Sequence, residues 1–289
     1  MNYAYIRYTN SRGESVTFTD DFPYMFLSLD GMGGTTASLQ TQQAPFIDGS
    51  MFVDSVLEDK PLTIEAALKS YDTAELAKMR REVSRVFNPK LGEGVLEYIE
   101  GDDVKEIVVV PESSPFFPIG TDNQSTYVQK VLIELIALDP YWKSPHNDSM
   151  KLQSYVGNFE LPTEFGVEFG VAGSETELFN NGDVPAPVLI EVEGPTTNPQ
   201  IHNRTTGEFI RIDREIAKDE TLYINTTPGS KSVVVERGDG SVEQAFGYLN
   251  HDSDMFALEV GENRIEHVAD AGNPDSSVIL TWQSRYVGI

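Results

Sequence analysis

Only one stretch of this chain, residues 71–89, carries a helical repeat of apolar residues; elsewhere the apolar positions recur every second residue in short runs. Leu76, Met79, Val83, Val86 and Phe87 share one helical face, with Asp72 or Thr73 as the capping residue ahead of them. Asn88-Pro89 stops the pattern, because a residue before proline is pushed out of the α region. Around this segment, residues 3–8, 15–19 and 24–30 read as strands. They break at Asn10-Ser11-Arg12-Gly13 and at Gly31-Met32-Gly33-Gly34. A chain of this kind folds as mainly β structure with one α-helix.

The strand pattern continues through a turn at 45–50 into 51–56 and 60–68, where Leu62, Ile64, Ala66 and Leu68 line one face. Residues 35–43 alternate only weakly. After the helix, 95–99 and 104–110 form a hairpin around Gly101-Asp102-Asp103. A loop over 111–125 with three prolines carries Phe116 and Phe117, which suit either a docking contact or a lid on the core. A strand over 126–138 closes this half. Asp139-Pro140-Tyr141-Trp142-Lys143-Ser144-Pro145 then reads as an interdomain elbow, with Tyr141-Trp142 packed at the junction. Two domains are expected, 1–144 and 145–289. In the second, strands are expected over 150–160, 164–172, 175–180, 187–194, 199–204, 208–212, 220–225, 231–237, 242–249, 263–269 and 277–287. Turns such as Gly182-Asp183, Thr206-Gly207, Pro228-Gly229 and Gly238-Asp239-Gly240 separate them, the pattern of a β-sandwich.

Composition excludes several kinds of chemistry. There is no cysteine, so thiolate metal sites, disulfides and a cysteine nucleophile are absent. His146, His202, His251 and His267 show no metal-ligand spacing, and neither Asp252-Ser253-Asp254 nor Asp239-Gly240-Ser241 continues into a calcium loop. The glycines at 31, 33 and 34 lack the lysine and helix of a phosphate loop. Arg237-Gly238-Asp239 reads as a hairpin turn. No catalytic, cofactor or metal site is expected. The net charge of −25 is spread along the chain: the first 144 residues hold 12 Lys/Arg against 22 Asp/Glu, the remainder 9 against 24. Such a field opposes nucleic-acid backbones and anionic membranes. The N-terminus lacks a basic-then-apolar signal, so a soluble protein made in the cytoplasm is expected. Within this acidic chain Lys78, Arg80, Arg81 and Arg85 form a basic helix face, a candidate contact for an acidic neighbour.

Several short segments, taken in order, resemble the distal tail proteins (Dit) of long, non-contractile-tailed phages and prophages of Gram-positive bacteria. They are Leu27-Ser28-Leu29-Asp30-Gly31, Ile47-Asp48-Gly49-Ser50, Pro61-Leu62-Thr63-Ile64, Phe87-Asn88-Pro89 and Asp139-Pro140-Tyr141-Trp142. In the second half they are Gly182-Asp183-Val184-Pro185-Ala186-Pro187, Ile190-Glu191-Val192-Glu193-Gly194, Asn198-Pro199-Gln200-Ile201-His202-Asn203, Thr206-Gly207-Glu208 and Leu258-Glu259-Val260-Gly261-Glu262-Asn263. The resemblance implies an N-terminal ring-forming domain, a β-barrel or sandwich with one helix and a hairpin, and a galectin-like C-terminal β-sandwich. It further implies a structural virion protein at the phage tail tip, a ring of six copies without enzymatic activity or cofactor. The ring would join the tail tube protein to a tail-associated lysin or fibre and to receptor-binding or baseplate proteins, and DNA would pass through it. Lys78, Arg81, Arg85, Phe116 and Phe117 are the candidate subunit or partner contacts. The rival expectation, from the sandwich half alone, is a carbohydrate-binding module or wall-degradation accessory. A third is a tail component of a contractile, bacteriocin-like particle.

Overall fold

In the computed structural model the helix α1 (Thr73–Val86) begins at Asp72, whose carboxylate accepts a hydrogen bond from the Ala74 amide at 3.0 Å. Leu76, Met79, Val83 and Val86 are buried beneath it, each side chain contributing about 1.5–3 kcal/mol. Phe87 closes the helix and stacks on Tyr8 with ring centroids 4.2 Å apart. Asn88 then caps a short 3-10 turn, Pro89–Leu91. Helix and stop therefore lie where capping and proline chemistry place them.

The structure describes residues 4–152, 175–270 and 276–289. Tyr3, the strand expected over 164–172 and residues 153–160 of the strand expected over 150–160 lie outside them. The chain divides into two units: Met1–Pro145 with Tyr286–Ile289, and His146–Arg285. In the first, α1 accompanies β1 (Tyr5–Asn10), β2 (Ser15–Phe18), β3 (Tyr24–Asp30), β4 (Ala37–Gln42), β5 (Met51–Leu57), β6 (Lys60–Lys69), β7 (Gly94–Glu100), β8 (Asp103–Pro111), β9 (Val128–Ala137) and β10 (Trp142–Lys143). The main sheet runs β2-β1-β7-β8-β9-β6-β3, with β10 beside β8. Every pairing along that path is antiparallel.

Strand β6 is the spine. All ten of its residues pair with β9, from Lys60↔Ala137 to Lys69↔Val128, and its other edge pairs with β3. Leu62, Ile64, Ala66 and Leu68 face the core, as their alternation requires. The barrel form expected of this domain is not closed. Among the described residues the backbones of end strands β2 and β3 are linked only through Thr19, whose amide donates to the Tyr24 carbonyl at 2.9 Å and whose carbonyl accepts from the Phe26 amide, one isolated bridge. Two hydrogen bonds around one residue are not a ladder, so the sheet remains an open path with α1 packed against its β6 and β2 strands. Gly31 ends β3 at φ +91°, where a Cβ would sit 2.2 Å from the Pro61 carbonyl.

The last residues return to the first unit. Lys60, 1% exposed, donates from Nζ to the Val287 carbonyl at 2.9 Å and to that of Met32 at 3.5 Å. Trp142, fully buried, donates from Nε1 to the same Met32 carbonyl at 3.1 Å. Tyr286 lies under the Lys105 ammonium, 4.7 Å from its ring centroid. Burial pushes the Lys60 amine below the ordinary lysine range.

In the second unit, β11 (Asp148–Leu152), β12 (Thr176–Asn180), β13 (Ala186–Glu193), β14 (Thr196–Thr197), β15 (Gln200–Asn203), β16 (Phe209–Arg211), β17 (Glu215–Ile216), β18 (Glu220–Asn225), β19 (Ser232–Arg237), β20 (Val242–Gln244), β21 (Ala257–Leu258), β22 (Gly261–Val268) and β23 (Ser277–Trp282) follow in order. They form two antiparallel sheets, β11-β23-β13-β18-β19-β20 with β21 beside β13, and β12-β22-β15-β16; β14 and β17 pair separately. Ile190, Val192, Leu222 and Leu280 from one sheet share a core with Leu178, Ile201, Ile210 and Ile265 from the other, the arrangement of a β-sandwich. Asn180 and Asn263 are buried with their side chains bonded to backbone, which fixes the turns beside β12 and β22. The single strand expected over 242–249 is shorter. After Gln244 the chain curls into a 3-10 turn, Phe246–Tyr248, held by the bond from the Tyr248 amide to the Ala245 carbonyl at 3.0 Å.

Two predictions follow from buried ionisable groups. Replacing Lys60→Met removes the bond to Val287 and lowers the first unit's stability by about 1–3 kcal/mol. Urea unfolding followed by Trp142 fluorescence in a Trp282→Phe background measures it, and an unchanged midpoint refutes the anchoring role. In the second unit burial lowers the pKa of His267 to about 4 from an ordinary 6.5. The unfolded chain therefore binds a proton that the fold resists. Stability is complete above pH 6.5 and declines as pH falls toward 4, by up to about 3 kcal/mol. In a Trp142→Phe background, His267→Leu flattens that decline; an identical slope in both proteins assigns it elsewhere.

Candidate assembly surfaces

The residues that could have signalled chemistry are engaged structurally. Among the described residues no group of three or more His, Asp or Glu is arranged to hold a metal ion. His202 packs on Phe209 at 5.5 Å between ring centroids, and His267 is buried. Arg237, of the Arg-Gly-Asp tripeptide, pairs with Glu243 and, at 3.4 Å, with Glu220, while Asp239 accepts from the Ser241 amide. The Asp252-Ser253-Asp254 turn is tied to β16 through Arg211 and Phe209. Trp142, expected at the domain junction, belongs instead to the first unit's core, where its ring cannot offer a sugar platform. Among the described residues no helix is long and apolar enough to cross a membrane.

Helix α1 separates its charges. Its acids serve their own unit: Glu75 accepts from Ser70 Oγ and Glu82 from the Tyr24 hydroxyl, both at 2.7 Å. The bases point outward. Lys78, Arg81 and Arg85 are exposed and Arg80 is half-buried. Arg85 pairs with Glu14 at 3.4 Å, whereas Lys78, Arg80 and Arg81 take part in none of the ion pairs among the described residues. Just before the helix, Tyr71 is 80% exposed and stacks on Phe22 at 5.2 Å.

The paired phenylalanines divide. Phe116 exchanges backbone hydrogen bonds with Leu132 at 2.8 and 2.9 Å, an isolated antiparallel bridge that ties the loop to β9. In extended chain successive side chains point to opposite sides. Phe116 is exposed and Phe117 packs against the core. Phe117 therefore packs on the core as a lid would, and Phe116 stays exposed.

The most exposed apolar feature was not singled out in the sequence. Among the described residues strands β4 and β5 pair only with each other, as a hairpin between β3 and β6. Every residue over 36–56 is exposed, including Leu39, Phe46, Ile47, Met51, Phe52, Val53 and Val56. The signal available was a run of apolar residues with no alternation that could hide them. In the second unit the outer face of the larger sheet carries a shallow depression of about 330 Å³ lined by Leu189, Glu191, Tyr223, Asn225, Ser232 and Thr281. It holds one aromatic ring and no converging acid–base pair.

The described residues thus form a long unclosed sheet carrying a hairpin, and a β-sandwich. Comparison with known proteins gives that arrangement a place. Residues 11–137 match the model of the phage tail protein RIFT-related domain, and 181–286 that of the siphovirus-type tail component, C-terminal domain. The SPP1 Dit (gp 19.1) protein, described as a paradigm of hub adsorption apparatus in Gram-positive-infecting phages, shares the fold at a TM-score of 0.69 and 11% identity. The match covers 97% of this chain and 98% of that one. A chain of the phage P2 baseplate, in its activated conformation with Ca, aligns at 0.53 and 10% identity over 99% and 100% of the two chains; the form with Sr gives the same values. No curated protein sequence matches. The chain belongs to the siphophage distal tail protein family, structural components of the phage tail. It is a virion protein of the tail tip.

The split between Phe116 and Phe117 is testable. Phe116→Ser leaves the unfolding free energy within about 0.5 kcal/mol, whereas Phe117→Ser lowers it by about 1–3 kcal/mol. Denaturant midpoints of the two variants measure the difference, and equal losses would mean that both rings seal the core.

Proposed function

We propose that this protein is a non-enzymatic adaptor ring, of six copies, at the distal end of the tail. The ring joins the tail tube protein on one side to the tail-associated lysin or fibre and the receptor-binding or baseplate proteins on the other. The first unit forms the ring and the second, a galectin-like sandwich, faces outward. The observation carrying this reading is the correspondence of both units, in order and over nearly the full chain, with the SPP1 hub protein. Physical chemistry supports it. Lys78 and Arg81 on α1, with Arg85 and Phe116, offer contacts that their own unit leaves exposed. Distinct patches meeting head to tail close into rings. The charge of −25 on each copy favours a channel through which DNA slides without adhering.

The rival reading, a carbohydrate-binding module, draws only on the depression beside Tyr223, whose single ring makes a poor platform for a sugar chain. Light scattering and negative-stain imaging of the purified protein, together with immunogold labelling of virions, test the adaptor. Closed rings and label at the tail tip are expected. Absence of the protein from purified particles, or its retention on cell-wall polysaccharide with turnover of that polymer, overturns it.

A further inference from the structure

A glycine that follows aspartate or asparagine is open to a spontaneous backbone reaction, because a residue without Cβ leaves its amide nitrogen unshielded. The chain has four such pairs: Asp30-Gly31, Asp48-Gly49, Asn181-Gly182 and Asp239-Gly240. In the reaction the glycine nitrogen attacks the carbonyl carbon of the preceding side chain. That requires an amide free of hydrogen bonds and a backbone free to rotate.

The fold withholds these conditions at three of the pairs. Asp30 is paired with Thr63 at the end of β3, and Gly31, at φ +91°, lies against the Pro61 carbonyl with no room to turn. The Gly182 amide donates to Asn180 Oδ1 at 3.0 Å, and the glycine faces the Arg285 backbone with no space for a side chain. In the turn between β19 and β20 the Gly240 amide donates to the Arg237 carbonyl, and Asp239 Oδ1 accepts from the Ser241 amide, both at 2.8 Å.

Asp48-Gly49 differs in every respect. The pair lies beyond the last ladder contact of the β4–β5 hairpin, Gln42↔Met51, and both residues are exposed. Gly49 has φ +86° and nothing within 4 Å of the place a Cβ would take. Among the described residues neither the Gly49 amide nor the Asp48 carboxylate takes part in a hydrogen bond or ion pair. The bond that crosses this turn, from the Ile47 amide to the Ala44 carbonyl, is 3.4 Å long and correspondingly weak.

We propose that Asp48-Gly49 is a site of spontaneous covalent modification, at which aspartate rearranges through a cyclic imide to isoaspartate. The Gly49 nitrogen bonds to Cγ of Asp48 in its carboxylic acid form. The Cγ–OH bond breaks, and the hydroxyl leaves with the amide proton as water. A second water then cleaves the bond between the imide nitrogen and one of its two carbonyl carbons. Cleavage at Cγ restores aspartate; cleavage at the α-carbonyl routes the chain through Cβ and Cγ and frees an α-carboxylate. One water leaves and one enters, so the mass is unchanged. The product has one more backbone atom in the turn, and the tip of the exposed hairpin acquires a second shape. A virion does not resynthesise its proteins, so this form accumulates with the age of the particle.

Incubation of the full chain in neutral buffer, folded and in parallel unfolded in guanidinium chloride, tests the site. Peptide mapping with electron-transfer fragmentation locates isoaspartate, and isoaspartyl methyltransferase labelling counts it. At Asp48 the folded and unfolded chains react at nearly the same rate. At the other three pairs folding slows the reaction by about ten-fold or more, the factor that fixing one residue's backbone is worth. Asp48→Glu, whose longer side chain cannot close the five-membered ring, removes the signal from its peptide. Asp48→Asn accelerates the reaction, with ammonia in place of the first water. Both substitutions fall on an exposed turn, so thermal melting stays that of the parent protein. Folding that protects Asp48 as strongly as the other three overturns the proposal. So does isoaspartate at Asp48 in the unfolded chain with none in the folded one.

Discussion

Pairing of β6 along both edges is the constraint on which the first unit depends. A strand held over ten residues by β9 and again by β3 cannot shift register without turning Leu62, Ile64, Ala66 and Leu68 away from the core. Everything else in that unit is placed by it: α1 follows directly after its end and packs on it, and the β4–β5 excursion leaves the sheet just before its start. At its first residue, Lys60 reaches the Met32 and Val287 carbonyls, so the spine also gathers segments that are remote in sequence.

Two halves of one chain solve the same stability problem differently. The first covers its sheet with a helix and with aromatic stacking, Tyr8 on Phe87 and Phe18 edge-on to Tyr24. The second sets sheet against sheet and relies on fully bonded asparagines at its turns. Neither uses a disulfide, consistent with a protein that contains no cysteine. Ion pairs are concentrated on the second unit, where Arg214 meets Glu220 at 2.9 Å and Glu243 at 3.1 Å, and Arg211 meets Asp213 and Asp270. Most are partly exposed pairs of modest individual worth, but together they offset repulsion among the many carboxylates there.

Legibility in the sequence followed the range of the interaction. Helix α1 was readable because Asp72, the apolar face and Asn88-Pro89 lie within one window. The β7–β8 hairpin and the main strands of the sandwich were readable from alternation and turn residues for the same reason. Whether the first sheet closes was not, since that turns on bonds around Thr19 and on the path of strands far apart in sequence. Burial of Lys60 was hidden because its acceptor, Val287, is 227 residues away. The β4–β5 hairpin escaped notice because weak alternation at 35–43 is what a strand without a buried face produces. The basic face of α1 was visible; that Glu14 occupies Arg85 while Lys78 and Arg81 stay open needed coordinates.

Residues 286–289 belong with the first unit although the whole of the second precedes them in the chain. On a translating ribosome the first unit therefore emerges early yet stays unfinished: the Lys60 ammonium has no Val287 carbonyl to receive it until all of the sandwich has been made. Residues 286–289 thus complete the first unit only after the second has been synthesised.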